Sequence, residues 1–303
     1  MLEARKETTP DYRGCDEALT RVVGEVAARP GATVALGPAK RRLRVVFVPG
    51  FGWSCFTKWL EVEDTIPDHL RQFGYDMVTL AIDGLGSSEF NAEEIARAIL
   101  SMPQGDSDAD LVLVGYSKGV PDMLTALVRH PEIHPRLAAV VSIGGVVGGS
   151  PLANDATDDL VNLMQYVPGA TCAPAGGSAL EDLRPDTRKA WLARHPLPPD
   201  IPYYSLVTFP DPTQISSILR GSYDKLARID ARNDGQILFY DQFIPDSTLV
   251  AYLNADHWAV AVPVARKHGV VSRLLVNQNA YPREALYEAL LRFLEEDLAT
   301  RSR

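Results

Sequence analysis

Short apolar runs alternate along the chain with longer segments whose apolar residues recur every three or four positions. The runs Leu43 to Val48, Asp76 to Ile82, Leu111 to Val114, Leu137 to Val141, Pro202 to Phe209 and Ser247 to Leu253 read as strands. Between them lie helical patterns. One runs from Asp64 to Phe73 and stops at Gly74; a second is capped by Asn91, with Glu94 three residues on and a stripe of Ile95, Ile99 and Met102. A third spans Val120 to His130 on Leu124, Leu127 and Val128, and the last starts at Pro282 with Leu286, Leu290, Phe293 and Leu294 facing inward. Repeated strand-helix alternation predicts the α/β class, with a mostly parallel, doubly wound sheet whose ligand sites lie beyond the carboxyl ends of its strands.

The rhythm breaks in two places. Residues 1–30 form an extension, with helical spacing from Asp16 to Arg29 that ends before Pro30-Gly31, and a short strand is predicted over Thr33 to Leu36. Residues 150–200 are rich in Pro, Gly and Ala and carry only helical pieces (Asp158 to Val167, Ala179 to Leu183, Thr187 to Arg194), the pattern of a cap inserted over the site. The core of the fold is then 31–149 together with 201–303.

Composition narrows the function. Hydrophobic residues make up 46% of the 303 and charged residues 23%, an ordinary globular balance far from that of disorder. A net charge of -9, with no basic cluster beyond Lys40-Arg41-Arg42, argues against nucleic acid and against an anionic membrane surface as partners. The charge-free stretch Leu137 to Asn154 holds too many glycines for a membrane span, so stable insertion is not expected. Cys15, Cys55 and Cys172 are odd in number and lack metal-ligand spacing, and the N-terminus has no apolar secretory core; both features predict a reducing, cytoplasmic setting.

The chemistry concentrates at Gly115-Tyr116-Ser117-Lys118-Gly119, set between a strand and a helix. A strand that turns sharply into a helix holds its turn residue in a strained conformation, and flanking glycines let strand and helix approach. Ser117 would project from the tip of the sheet at a helix N-terminus, whose free N–H groups suit a developing oxyanion. Pro121 fits the first helical turn, where a missing N–H removes no bond. The loop Pro49-Gly50-Phe51-Gly52, closing an earlier strand, is the second place where backbone N–H groups can turn toward a ligand.

Taken with the element order over roughly residues 43–300, these motifs make the chain resemble the α/β-hydrolase superfamily, and within it the bacterial lipases and esterases. The resemblance implies a triad in the order serine, acid, histidine, with the histidine after the last strand, the place of His257 in Asn254-Ala255-Asp256-His257-Trp258. The acid is Asp234 in Asn233-Asp234-Gly235, or alternatively Asp211, just after the strand ending at Phe209. Asp256 is a poor partner, because successive residues point apart. The N–H groups of Phe51 and Lys118 become the oxyanion donors, and Gly50, Trp53, Tyr116 and Trp258 are candidates for the substrate pocket. The expected reaction is hydrolysis of a small carboxylic ester through an acyl-enzyme on Ser117, without metal or organic cofactor. A thioesterase or acyltransferase would use the same residues, and a non-catalytic binding protein is the third alternative. Three departures from the lipases stand out: Pro49-Gly50 replaces the usual His-Gly, Ala259 stands where calcium-binding members carry a carboxylate, and Cys172 has no evident disulfide partner.

Overall fold

A computed structural model describes residues 3–7, 9–25, 36–55, 65–103, 109–156, 179–267 and 269–301. The predicted runs form strands β1 (Leu43–Val48), β2 (Asp76–Thr79), β3 (Asp110–Tyr116), β4 (Leu137–Ile143), β5 (Tyr203–Thr208) and β6 (Thr248–Leu253). The helices are α1 (Cys15–Ala18), α2 (Thr65–Arg71), α3 (Ser88–Ser101), α4 (Gly119–Arg129), α5 (Pro185–Arg194), α6 (Arg220–Leu226), α7 (Val264–Lys267), α8 (Gly269–Leu274) and α9 (Arg283–Arg301).

The strands make one open sheet in the order β2-β1-β3-β4-β5-β6, with every neighbouring pair parallel. The central strands are apolar on both faces because both are covered. Val45, Phe47, Val112 and Val114 pack toward Leu70 of α2 and toward Leu290, Leu291 and Leu294 of α9. Val46, Val48, Leu111 and Leu113 pack on the other side against Ile95 and Ile99 of α3 and Leu124 and Leu127 of α4. β1 lies between β2 and β3, so chain order reverses there, and the crevice beyond the carboxyl ends of β1 and β3 is where a ligand belongs in this architecture.

Several boundaries differ from expectation. Asn91 does not cap α3: Ser87 does, its Oγ accepting the Phe90 N–H at 3.2 Å, while Asn91 lies buried inside the helix. The N-terminal helix stops at Ala18. Beyond it Leu19 bridges antiparallel to Leu253, and Thr20 N–H donates to Tyr252 O at 2.9 Å, because the edge strand β6 offers unpaired backbone groups that the chain satisfies. Residues 26–29 of that predicted helix, most of the predicted Thr33 to Leu36 strand and the predicted helix from Asp158 to Val167 lie outside the described residues. Within the segment expected to form a cap, Pro151–Asn154 and Glu181–Leu183 are 3-10 turns and α5 is a regular helix. Cys15 is an exposed free thiol, Cys55 is buried, and Cys172 lies outside the described residues. Among the described residues no helix is long and apolar enough to cross a membrane.

Candidate active site

Ser117 follows β3 directly and has a φ of +54°, a left-handed conformation that a side chain tolerates only where its surroundings enforce it. The enforcement is steric and comes from the neighbouring glycines. A Cβ at Gly119 would lie 2.7 Å from Pro49 O, and one at Gly115 would lie 2.8 Å from Met123 Sδ, so α4 can begin this close to β1 and β3 only without those atoms. Gly50 is equally tight, since its Cβ would stand 2.8 Å from that of Ser117.

Two loops from the far end of the sheet reach the serine. Ser117 Oγ lies 2.9 Å from His257 Nε2, and His257 Nδ1 lies 2.8 Å from Asp234 Oδ2. A carboxylate can only accept, so Nδ1 carries the imidazole proton and Nε2 is left to accept from the serine hydroxyl. All three side chains are buried, Asp234 completely. The aspartate is held from every side: Oδ1 accepts the Gln236 and Ile237 N–H groups at 2.9 and 2.8 Å, and Oδ2 also accepts Thr208 Oγ1 at 2.5 Å. Gly235, at φ +90°, makes the turn that points those amides back. Thr208 is itself clamped by the Gln242 amide, which accepts its N–H at 2.7 Å and donates to its carbonyl at 2.8 Å.

The histidine loop has its own supports. His257 N–H donates to Asp234 O at 2.9 Å, and the Tyr116 hydroxyl donates to His257 O at 2.7 Å with its ring stacked on the imidazole. Burial, with the nearby Asp234 charge adding to it, pushes the Tyr116 phenol well up, so it remains a donor. Asp256 turns away from the imidazole. Its Oδ1 accepts the Trp258 and Ala259 N–H groups and its Oδ2 that of Ser216; burial raises this carboxyl despite those bonds. Asp211 is exposed and caps the turn Pro212–Gln214 through Thr213, which holds its carboxyl below the usual range. Of the two acids left open by the sequence, Asp234 is the one beside His257.

A cavity of about 270 Å3 opens over Ser117 and His257, lined by Phe51, Val146, Leu152, Ala153, Leu183 and Ile237, with Ser150 and Gln236 supplying polar edges. Several of these residues belong to the segment expected to form a cap. Gly50, Trp53, Tyr116 and Trp258 are not among the lining residues. Trp53 packs edge-on to Phe47 and Tyr116, and Trp258 lies against Ile215, Leu219 and Tyr223, so these aromatics support the site from behind. A larger cleft of about 720 Å3 flanks the amino ends of β4, β5 and β6, the wrong end of the sheet for this chemistry. In the Phe51 loop, Gly52 N–H is committed to Gly84 O and Trp53 N–H to Gly50 O. The Lys118 side chain is wholly buried in an ion pair with Asp122, whose carboxyl is raised by burial against the opposing pull of Lys118, Ser88 and Asn91. Among the described residues no group of three or more acidic, His or Cys side chains is placed to hold a metal ion.

Sequence reasoning passed over Thr208, Gln242 and the Lys118 side chain. Thr208 ends a strand and so had a positional signal, and Lys118 stands four residues before Asp122, a helical ion-pair spacing, although its burial left no trace; Gln242 had no signal.

No protein-family model matches the chain, nor does any curated protein. Among solved structures, the metagenomic carboxyl esterase MGS0156 is 35% identical, over 98% of this chain and 89% of its own, with a TM-score of 0.87. The mature lipase BlEst2 of Bacillus licheniformis shares the fold at 20% identity, over 80% of this chain and 94% of its own, with a TM-score of 0.60. The chain belongs to the α/β-hydrolase superfamily.

Proposed function

We propose that this protein is a serine hydrolase that cleaves small carboxylic esters through an acyl-enzyme on Ser117. The observation that carries the reading is the continuous contact from Ser117 Oγ through the His257 ring to Asp234, with the serine at positive φ on the floor of an apolar cavity. Its likeness to a carboxyl esterase over nearly its whole length supports the substrate class.

His257 Nε2 takes the Ser117 proton as Oγ attacks the ester carbonyl, and the tetrahedral oxyanion settles against the N–H groups of Phe51 and Lys118. Asp234 keeps Nδ1 protonated and stabilises the imidazolium, which then donates its proton to the departing alkoxide. Water attacks the acyl-enzyme with His257 again as base, releasing the acid and restoring Ser117. The segment 150–200 acts as a cap whose apolar side chains select the acyl group.

A fluorophosphonate should label Ser117, and Ser117→Ala should remove both labelling and turnover of a p-nitrophenyl ester series while leaving circular dichroism unchanged. Peptide mapping that puts the label on another serine overturns the assignment.

A further inference from the structure

Behind the serine turn a buried polar bridge joins the two places that present oxyanion donors. Lys118 Nζ donates to both Asp122 oxygens, at 2.9 and 2.7 Å. Asp122 Oδ1 also accepts Ser88 Oγ at 2.7 Å, and its Oδ2 accepts Asn91 Nδ2 at 2.7 Å. The same Asn91 nitrogen donates its other proton to Asp83 O at 2.8 Å. One residue further, Gly84 O accepts the Gly52 N–H at 3.1 Å, and Gly84 N–H donates to Ser54 Oγ at 3.0 Å. The contact is backbone against backbone, for a Cβ at Gly84 would lie 2.8 Å from Gly52 N and 2.9 Å from Trp53 N. The path therefore runs from Lys118, whose amide is one donor, to Gly52, the residue after the other donor, Phe51.

Stability alone is a poor reason for such an arrangement. Lys118 and Asp122 are both within 1% of complete burial, and an apolar pair of similar volume would fill the same space without the desolvation penalty. What a charged, hydrogen-bonded pair adds is direction: each bond fixes an angle as well as a distance, and Asn91 satisfies one acceptor on each side only in the orientation it adopts. An oxyanion pocket needs that definition, because small misplacement of preorganised donors is expensive in rate.

We propose that Asp122 and Asn91 are positioning residues for the oxyanion pocket, setting the spacing and aim of the Lys118 and Phe51 amides through this bridge. The proposal rests on the ester-hydrolase reading. It predicts a particular kinetic signature. Asn91→Ala and Asp122→Asn should lower kcat roughly 10- to 100-fold, short of the loss from deleting a donor outright. KM for a p-nitrophenyl ester should stay within about twofold, since the ground-state cavity is untouched. The Ki of a trifluoromethyl ketone, which forms a tetrahedral adduct on serine, should rise in proportion to the loss in kcat/KM. Thr125→Ala, which removes a buried hydroxyl elsewhere on α4, serves as the control for general destabilisation and should keep kcat.

Thermal melts read alongside separate a structural role from a positioning one. A lowered Tm with unchanged kcat in Asn91→Ala overturns the proposal, as does a loss confined to KM. If Asp122→Asn does not yield folded protein, because it leaves the Lys118 ammonium buried without a counter-ion, Asn91→Ala decides alone. Absence of ester turnover and of Ser117 labelling in the unaltered chain refutes the hydrolase reading and this proposal with it; normal turnover with an unaffected Asn91→Ala refutes the positioning role only.

Discussion

Asp234 has two oxygens with separate duties, and that division predicts what a single-atom change does. Oδ1 is taken by the Gln236 and Ile237 amides and Oδ2 faces Thr208 and His257. In Asp234→Asn the amide oxygen must stay with the two N–H donors, which turns the NH2 group toward His257 Nδ1. The imidazole then carries its proton on Nε2 and cannot take one from Ser117, so kcat/KM should fall by on the order of 10⁴ with the fold intact. Asp211→Asn should stay within about twofold of the unaltered rate, because its carboxylate serves a surface turn. Measuring kcat/KM for both variants checks the pair; a large loss at Asp211 with near-normal rates at Asp234 refutes the assignment.

At the scale of elements, the loop after β1 and the turn after β3 sit as close as backbones allow. Gly50→Ala would bring a methyl to 2.8 Å from Ser117 Cβ, and the two segments would have to part. The cost of such overpacking is about 1–3 kcal/mol in stability. Because Phe51 moves with the loop, kcat should also fall at least about tenfold while KM changes little; urea titration and steady-state kinetics test the two effects separately. Legibility in the sequence also differs by element. The strands could be read because a parallel sheet covered on both faces demands unbroken apolar runs. The start of α3 could not, since Ser87 and Asn91 are both good caps by type, and only the partners on Asp83 and Asp122 draw Asn91 inside the helix.

Across the whole molecule, α9 closes the sheet with charged residues on its buried side as well as leucines. The periodic stripe accounts for Leu290 and Leu294, while Leu286 and Phe293 are only half-buried. Glu288 is fully buried, and burial by itself would raise its carboxyl, but hydrogen bonds from Arg5, His69 and Arg292 outweigh that and bring it down to about 2 from the ordinary 4.5. This ties the N-terminal segment, α2 and α9 together. A carboxyl lower in the folded than in the unfolded state binds fewer protons there, so its stabilisation is complete above pH 4.5 and disappears as pH falls toward 2. The stability difference between the unaltered chain and Glu288→Gln should therefore be largest near neutrality and shrink between pH 4.5 and 3. Urea midpoints at a series of pH values measure it, and a pH-independent difference refutes the assignment of that carboxyl.

By itself the sequence determined the α/β class, the order of the strands along the chain, the elbow at Ser117 and the position of His257 after the last strand. All of these depend on local pattern: periodicity, glycine spacing and turn chemistry act over a few residues and leave a trace there. Tertiary structure alone set Asp234 and not Asp211 beside His257, put Trp53, Tyr116 and Trp258 outside the cavity and lined that cavity with Phe51, Val146, Leu152, Ala153, Leu183 and Ile237. It also buried Lys118 beside Asp122 and paired residues 18–20 with the edge of β6. Each of these outcomes joins residues far apart in the chain or settles which side of an element a side chain faces. Distant partners are selected by which surfaces the fold brings within hydrogen-bonding distance, and no short window of sequence contains both of them; Lys118 and Asp122 stand only four residues apart, and there the fold decided burial, which spacing does not encode.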